Sequence, residues 1–258
     1  MNQFITYLEA LEQTPTVQAA SELYKNENPD VSVSVHPEEF PQTQPITPIG
    51  PHPLNDQEIN DLCRELESIW KRTHKFAPVL RAIKASGVQY LGQGSARMVF
   101  KLNDEKVLKL AKNKKGLDQN DAEANYYLRQ IYGVAEWFLA SNDDIWIVSE
   151  LCTKAKASDF KKKLGISFND YCNYVNYIGQ ERGTKRRGFW KIDPPPNVKQ
   201  YMEADNLLGG INEYIANMDP PLGDLTKINS YGITKNGDLV LVDTGLTDDI
   251  EERYYRHR

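Results

Sequence analysis

Gly223-Asp224-Leu225-Thr226-Lys227-Ile228-Asn229-Ser230-Tyr231-Gly232-Ile233-Thr234-Lys235-Asn236-Gly237-Asp238-Leu239-Val240-Leu241-Val242-Asp243-Thr244-Gly245 is the stretch that decides the fold. Asp224 precedes Asn229 by five residues. Ile233 and Leu239–Val242 carry strand signals, and Lys235-Asn236-Gly237-Asp238 lies between them. Asn-Gly at such a place predicts a hairpin turn. The second strand delivers Asp243 to its end, followed by Thr244-Gly245. A carboxylate there can turn toward a metal while the glycine lets the backbone turn away. Taken singly, Asp224 could cap a turn and Asp243-Thr244-Gly245 could merely end a strand. The two together, at this spacing and downstream of the features described next, favour a site.

Upstream, the apolar period turns strand-like from Val88. Val88–Leu91 leads into Gly92-Gln93-Gly94-Ser95, after which Met98, Phe100 and Leu102 alternate with Arg97, Val99 and Lys101. Glycines between two strands let backbone N–H groups approach phosphate oxygens, although most such hairpins are only turns. The absence of a helix directly after the loop argues against a dinucleotide-binding βαβ unit. Asn103-Asp104 predicts a turn, and Lys106–Ala111 a third strand carrying Lys109 between Leu108 and Leu110. A lysine facing inward from an apolar strand needs an anion, because an unpaired buried charge is costly. Glu123, in a helix expected over 121–130, is the natural partner. The alternative leaves Lys109 in solvent on an edge strand and Glu123 on an ordinary helix surface. If the groups converge, Asp224 suits the carboxylate that orients an acceptor hydroxyl. Asn229 and Asp243 then suit oxygen ligands for Mg²⁺ bridging nucleotide phosphates.

The rest of the chain frames this region. Phe4, Leu8 and Leu11 predict a short amphipathic helix, and 31–35 alternates like a strand. Pro37, Pro41, Pro45, Pro48, Pro51 and Pro53 predict an extended linker over 36–54. Asn55 with Glu58 predicts a capping box for a helix bearing Ile59, Leu62, Leu66 and Ile69. A second helix carries Phe76, Leu80 and Ile83 and ends at Gly87. Ile145–Glu150 predicts another strand. Beyond Lys154 the pattern is mainly helical, over about 167–182 and 197–217. The expected units are therefore an extension over 1–35, the linker, a helical pair over 55–87, a strand-rich lobe over 88–152 and a helical lobe over 153–258. The fold class is α+β with two lobes.

The net charge of −5 does not favour nucleic-acid binding. The basic clusters Lys112/Lys114/Lys115, Lys161–Lys163 and Lys185–Arg187 read as solvated surface. Cys63, Cys152 and Cys172 form no CxxC pair, which suits reduced thiols and a cytosolic location. No apolar run is long enough for a membrane span, and the start at Met1-Asn2-Gln3 lacks signal-peptide character.

In order, the glycine loop, Lys109, Glu123, Asp224…Asn229 and Asp243-Thr244-Gly245 resemble the protein-kinase-like superfamily. The resemblance covers about 88–246. It implies a two-lobe kinase-like fold with ATP and Mg²⁺ between the lobes. In it Gly92, Gly94 and Ser95 border the phosphates, and Val99 and Val107 roof the adenine pocket. Ser149 stands at the pocket's back, the backbones of Glu150 and Cys152 face the adenine edge, and Tyr231 forms part of the floor. Lys109 and Glu123 hold the phosphates, Asp224 orients the acceptor, and Asn229 and Asp243 take the metal. Departures are evident. Arg97 stands where the loop pattern has a third glycine, Leu222-Gly223 replaces His-Arg, and Thr244 replaces Phe. Only thirteen residues follow Gly245, which leaves a truncated helical lobe without an activation segment. Gly-Asp-Leu is closer to small-molecule phosphotransferases. The run Lys112–Glu123 resembles compact kinase-like proteins of phages and bacterial mobile elements, which would place the chain in host cytoplasm or a virion. The resemblance implies a phosphotransferase acting on a protein or small-molecule hydroxyl, or else a nucleotide-binding pseudokinase or interaction protein, with residues 1–54 free to engage a partner.

Overall fold

The computed structural model describes residues 53–182 and 193–255, which fall in one compact unit, Pro48–Arg258. The expected helix near Phe4–Leu11, the strand at 31–35, the linker up to residue 52 and the Lys185–Arg187 cluster lie outside the described residues. The fold is α+β in two lobes, a five-stranded antiparallel sheet with its helices followed by a mainly helical part.

Helix α1 (Asp56–Thr73) starts at a reciprocal cap. The Asn55 side chain accepts from the Glu58 amide at 3.0 Å, and the Glu58 carboxylate accepts from the Asn55 amide at 2.8 Å. Its stripe of Ile59, Leu62, Cys63, Leu66 and Trp70 is buried. Helix α2 (Phe76–Ala85) adds Val79 and Ile83, and Gly87 follows with φ 74°. Both helices share an apolar core with Phe100, Leu108 and Leu110 of the sheet. Burying each such side chain is worth about 1.5–3 kcal/mol. Leu54 corrects the linker boundary: its amide donates to the Leu102 carbonyl at 2.8 Å, Asn103 Nδ2 donates to its carbonyl at 3.1 Å, and its side chain is buried in this core.

The strands β1 (Gln89–Gln93), β2 (Arg97–Lys101), β3 (Lys106–Ala111), β4 (Trp137–Ala140) and β5 (Trp146–Glu150) form one antiparallel sheet, ordered β1-β2-β3-β5-β4. Lys109 pairs with Val99 on one side and Ile147 on the other. It therefore lies on the central strand, and the edge-strand alternative is excluded. The helix expected over 121–130 is displaced. Helix α3 spans Lys114–Glu123, because the Asn113 side chain caps the Gly116 amide at 3.1 Å. A Cβ on Gly116 would come within 2.3 Å of the Ala96 carbonyl oxygen, so only glycine lets α3 pack this closely. The helix stops where the Asn125 side chain captures the Tyr127 amide at 2.9 Å and starts a separate 3₁₀ turn, Tyr126–Gln130.

The second lobe contains α4 (Ala157–Leu164), α5 (Phe168–Glu181), α6 (Val198–Met202), α7 (Leu207–Met218) and α8 (Leu222–Leu225). The single helix expected over 197–217 is two, since Asn206 caps the Leu208 amide at 2.8 Å and starts α7 afresh. A small sheet of β6 (Thr153–Lys154), β7 (Tyr231–Ile233) and β8 (Leu239–Leu241) covers the helices. The expected turn joins β7 to β8, with Gly237 at φ 86° and the Thr234 amide donating to the Asp238 carbonyl at 2.9 Å. Helix α9 (Asp248–Tyr254) follows Gly245 and docks on α3: Arg253 and the Tyr254 hydroxyl both reach Asp118 Oδ2 at 2.8 Å.

Candidate active site

A cleft of about 510 Å³ separates the lobes. Gly94, Ser95, Val99, Val107 and Lys109 line it from the sheet. Glu150 and Cys152 line it from the connection, and Asp224, Asn229 and Asp243 from the helical lobe. Ten of the residues expected at the site thus share one cavity. Three others need correction. Gly92 belongs to β1, and Leu91 lines the cleft in its neighbourhood. Ser149 pairs with Val107 in the sheet and is buried behind the lining, with no hydrogen-bond partner for its hydroxyl among the described residues. Tyr231 does not form the floor. Its hydroxyl donates to the Leu225 carbonyl at 2.6 Å and lies 2.9 Å from the Tyr171 hydroxyl, so it is a core residue of the helical lobe. Val242 lines the cleft instead. A tyrosine with a satisfied hydroxyl can be buried whole, and sequence does not show where that partner stands.

Lys109 Nζ donates to Glu123 Oε1 and to the Val242 carbonyl, the latter at 2.8 Å. Glu123 is not in the cleft wall; it lies behind Lys109 with its side chain 5% exposed. Arg97 donates to the other oxygen of Glu123 at 2.5 Å and, through its second terminal nitrogen, to Asp243 Oδ1 at 2.8 Å. Four alternating charges run Lys109–Glu123–Arg97–Asp243 and balance one another. Burial works to raise the Glu123 pKa, but the adjacent Lys109 and Arg97 charges outweigh it and lower it. Burial also works against the Arg97 charge, and Glu123 and Asp243 overcome it, so its pKa is raised.

Asp224 stands on α8 with its carboxylate accepting from Lys227 Nζ. The Ser230 hydroxyl donates to the Asp224 carbonyl at 2.8 Å and fixes the loop between Asp224 and Asn229. The Tyr214 hydroxyl donates to the Thr244 carbonyl at 3.0 Å. A Cβ on Gly245 would come within 2.5 Å of the Gln119 carbonyl oxygen, so glycine lets the chain turn against α3 there. Among the described residues no three His, Cys, Asp or Glu side chains are grouped to hold a metal. One carboxylate and one neutral amide, Asp243 and Asn229, line the same cleft and are hard oxygen donors it offers to a cation. Burial, aided by Glu150, pushes the Cys152 thiol up to about 12, so it stays protonated in the cleft.

Sequence reasoning missed Arg97 and Lys227, and it misjudged Lys112 and Lys115. Lys112 Nζ donates to Gln93 Oε1 at 2.8 Å and to the Gly94 carbonyl at 3.1 Å. Lys115 is buried, donates to the Ser95 hydroxyl at 3.0 Å and lies 4.3 Å from the centre of the Tyr255 ring. Both lysines hold the glycine loop, and Lys115 is not part of a solvated patch. The one available signal was their position on either side of the Asn113 cap, with Lys115 directly before Gly116. Among the described residues, no helix is long and apolar enough to cross a membrane.

Neither a family model nor a curated protein matches the chain. Among solved structures, it is similar to that of the streptomycin–ATP–APH(2")-IIa ternary complex, at 15% identity and a TM-score of 0.32, over 78% of this chain and 75% of that one.

Proposed function

We propose that this chain is an ATP-dependent phosphotransferase that moves the γ-phosphoryl group to a hydroxyl on a protein or small molecule. The observation that carries the reading is the shared cleft of Lys109, Asp224, Asn229 and Asp243, with Glu123 holding Lys109 from behind. Phosphoryl transfer asks a protein mainly for positioning and charge neutralisation. Lys109 serves the nucleotide phosphates, with Gly94 and Ser95 above them. Val99 and Val107 cover the adenine, whose edge meets the backbones of Glu150 and Cys152. Asp224 orients the acceptor hydroxyl and receives its proton. Asn229 and Asp243 hold Mg²⁺, which when bound neutralises phosphate charge. In this reading 88–152 is the nucleotide-side lobe, 153–258 the acceptor-side lobe, and 55–87 a helical brace on the first.

A second reading is nucleotide binding without transfer. It is favoured by Arg97, which already occupies one oxygen of Asp243. The test is ATP labelled at its γ-phosphate, incubated with the protein and Mg²⁺, alone and with cell lysate, and analysed by mass spectrometry. The phosphotransferase reading expects labelled product that is absent in Lys109→Met. Tight ATP binding with no label on protein, water or small hydroxyl compounds supports the second reading.

A further inference from the structure

Arg97 is the first residue of β2, immediately after the glycine loop, and its side chain is only 9% exposed. Its two terminal nitrogens reach carboxylates on two different elements: Glu123 on α3 at 2.5 Å and Asp243 after β8 at 2.8 Å. A guanidinium cannot shed its charge on burial, and its planar fork can serve two carboxylates at once. Glu123 alone would compensate that charge only in part, because Glu123 is already shared with Lys109. Asp243 supplies the rest. The carboxylate is nevertheless 59% exposed, so it remains open to the cleft while one oxygen is held.

The backbone around Asp243 is built for this contact. A Cβ on Gly245 would lie 3.1 Å from Arg97 Nη1, in addition to its closer conflict with the Gln119 carbonyl. The Tyr214 hydroxyl grips the intervening Thr244 carbonyl from the helical lobe. Asp243 is therefore fixed without help from a metal ion.

We infer that Arg97 is a positioning residue that acts as a built-in cation at the phosphate end of the cleft, holding Asp243 in place and competing with a divalent ion for it. The inference rests on the phosphotransferase reading and specifies how its metal site is regulated. A divalent ion at Asp243 would sit within a carboxylate's width of a fixed positive charge, and like charges at that range repel even through the protein dielectric. The same charge, beside Lys109, favours the phosphates of metal-free ATP. Arg97 thus shrinks the difference between metal-free and metal-bound nucleotide affinity.

The experiment is equilibrium binding of ATP by calorimetry, in EDTA and in saturating Mg²⁺, for the wild type, Arg97→Gln and Arg97→Lys. Thermal melts establish which variants fold. In the wild type, removing Mg²⁺ should weaken ATP binding by no more than about tenfold, and in Arg97→Gln that ratio should grow by at least about tenfold more. Arg97→Lys, which keeps a charge, should fall closer to the wild type. A folded Arg97→Gln with an unchanged ratio overturns the inference. So does a wild-type ratio above about a hundredfold, a result that needs no variant. Either outcome leaves the phosphotransferase reading standing. A wild type that binds ATP in neither condition defeats that reading and the inference with it.

Discussion

Lys109 and Glu123 form an ion pair in which both side chains are at most 10% exposed. The pair is asymmetric in what it leaves behind. Removing Lys109 leaves Glu123 with Arg97, whereas removing Glu123 leaves two buried cations without their shared anion. Lys109→Met should cost about 1–3 kcal/mol, mainly through the abandoned Val242 carbonyl and the weakened pair. Glu123→Ala should cost more, about 3–5 kcal/mol. Urea denaturation of both variants measures the difference, and equal losses would mean that Arg97 does not share the Glu123 charge.

Asp144 sets a pH dependence of opposite sign to that of the paired carboxylates. Burial, followed by the charges of Asp121, Asp143 and Asp118, raises its pKa from 3.8 to about 6. An acid with a raised folded pKa gives stability that is present below 3.8 and lost as pH rises through about 6. Asp144→Asn removes that loss. Asparagine also tolerates the left-handed backbone there, at φ 56°. The melting temperature of Asp144→Asn should exceed the wild type's at about pH 7.5 and match it near pH 3.5. A gain of equal size at both pH values would assign the effect to the backbone alone.

Tyr255 joins three parts of the cleft. Its hydroxyl lies 3.1 Å from the Ser95 hydroxyl, its ring stands under Lys115, and it lines the cavity. Tyr255→Phe removes the hydroxyl's contacts with Ser95 at 3.1 Å and Gln119 Nε2 at 3.4 Å, each worth about 0.5–1.5 kcal/mol. Tyr255→Ala also removes the cation–ring contact, worth about 0.5–1 kcal/mol at such a site. The two losses should therefore be graded in chemical denaturation. Identical stability for wild type and both variants would show that α9 does not brace the glycine loop.

Much of this site is legible in sequence because its residues carry local signatures. Asp243 follows an apolar strand and precedes glycine, Asp224 and Asn229 share one short segment, and Lys109 is flanked by leucines. What sequence concealed depends on distant partners. Arg97 looks like a damaged glycine loop until Asp243, 146 residues away, meets it. Lys112 and Lys115 look like solvated charge until their hydrogen bonds to Gly94 and Ser95 of the loop are seen. The boundary of α3 was misplaced because a polar segment with a glycine gives little helical periodicity, and the tertiary fit of Gly116 against Ala96 decides it. Tyr231 was misplaced because an aromatic beside a nucleotide site and an aromatic in a core have the same composition.

The division of labour between Asp224 and Asp243 tests the central claim most directly. Transfer of labelled γ-phosphate and equilibrium ATP affinity should be measured together, with Mg²⁺, for the wild type, Asp224→Asn and Asp243→Asn. Asp224→Asn should bind ATP almost as the wild type does and transfer phosphate more slowly by about two orders of magnitude, the usual scale for losing a positioned acid–base group. Asp243→Asn should lose Mg-ATP affinity and transfer together. Wild-type transfer that survives Asp224→Asn, or nucleotide binding lost as fully in Asp224→Asn as in Asp243→Asn, would contradict the account.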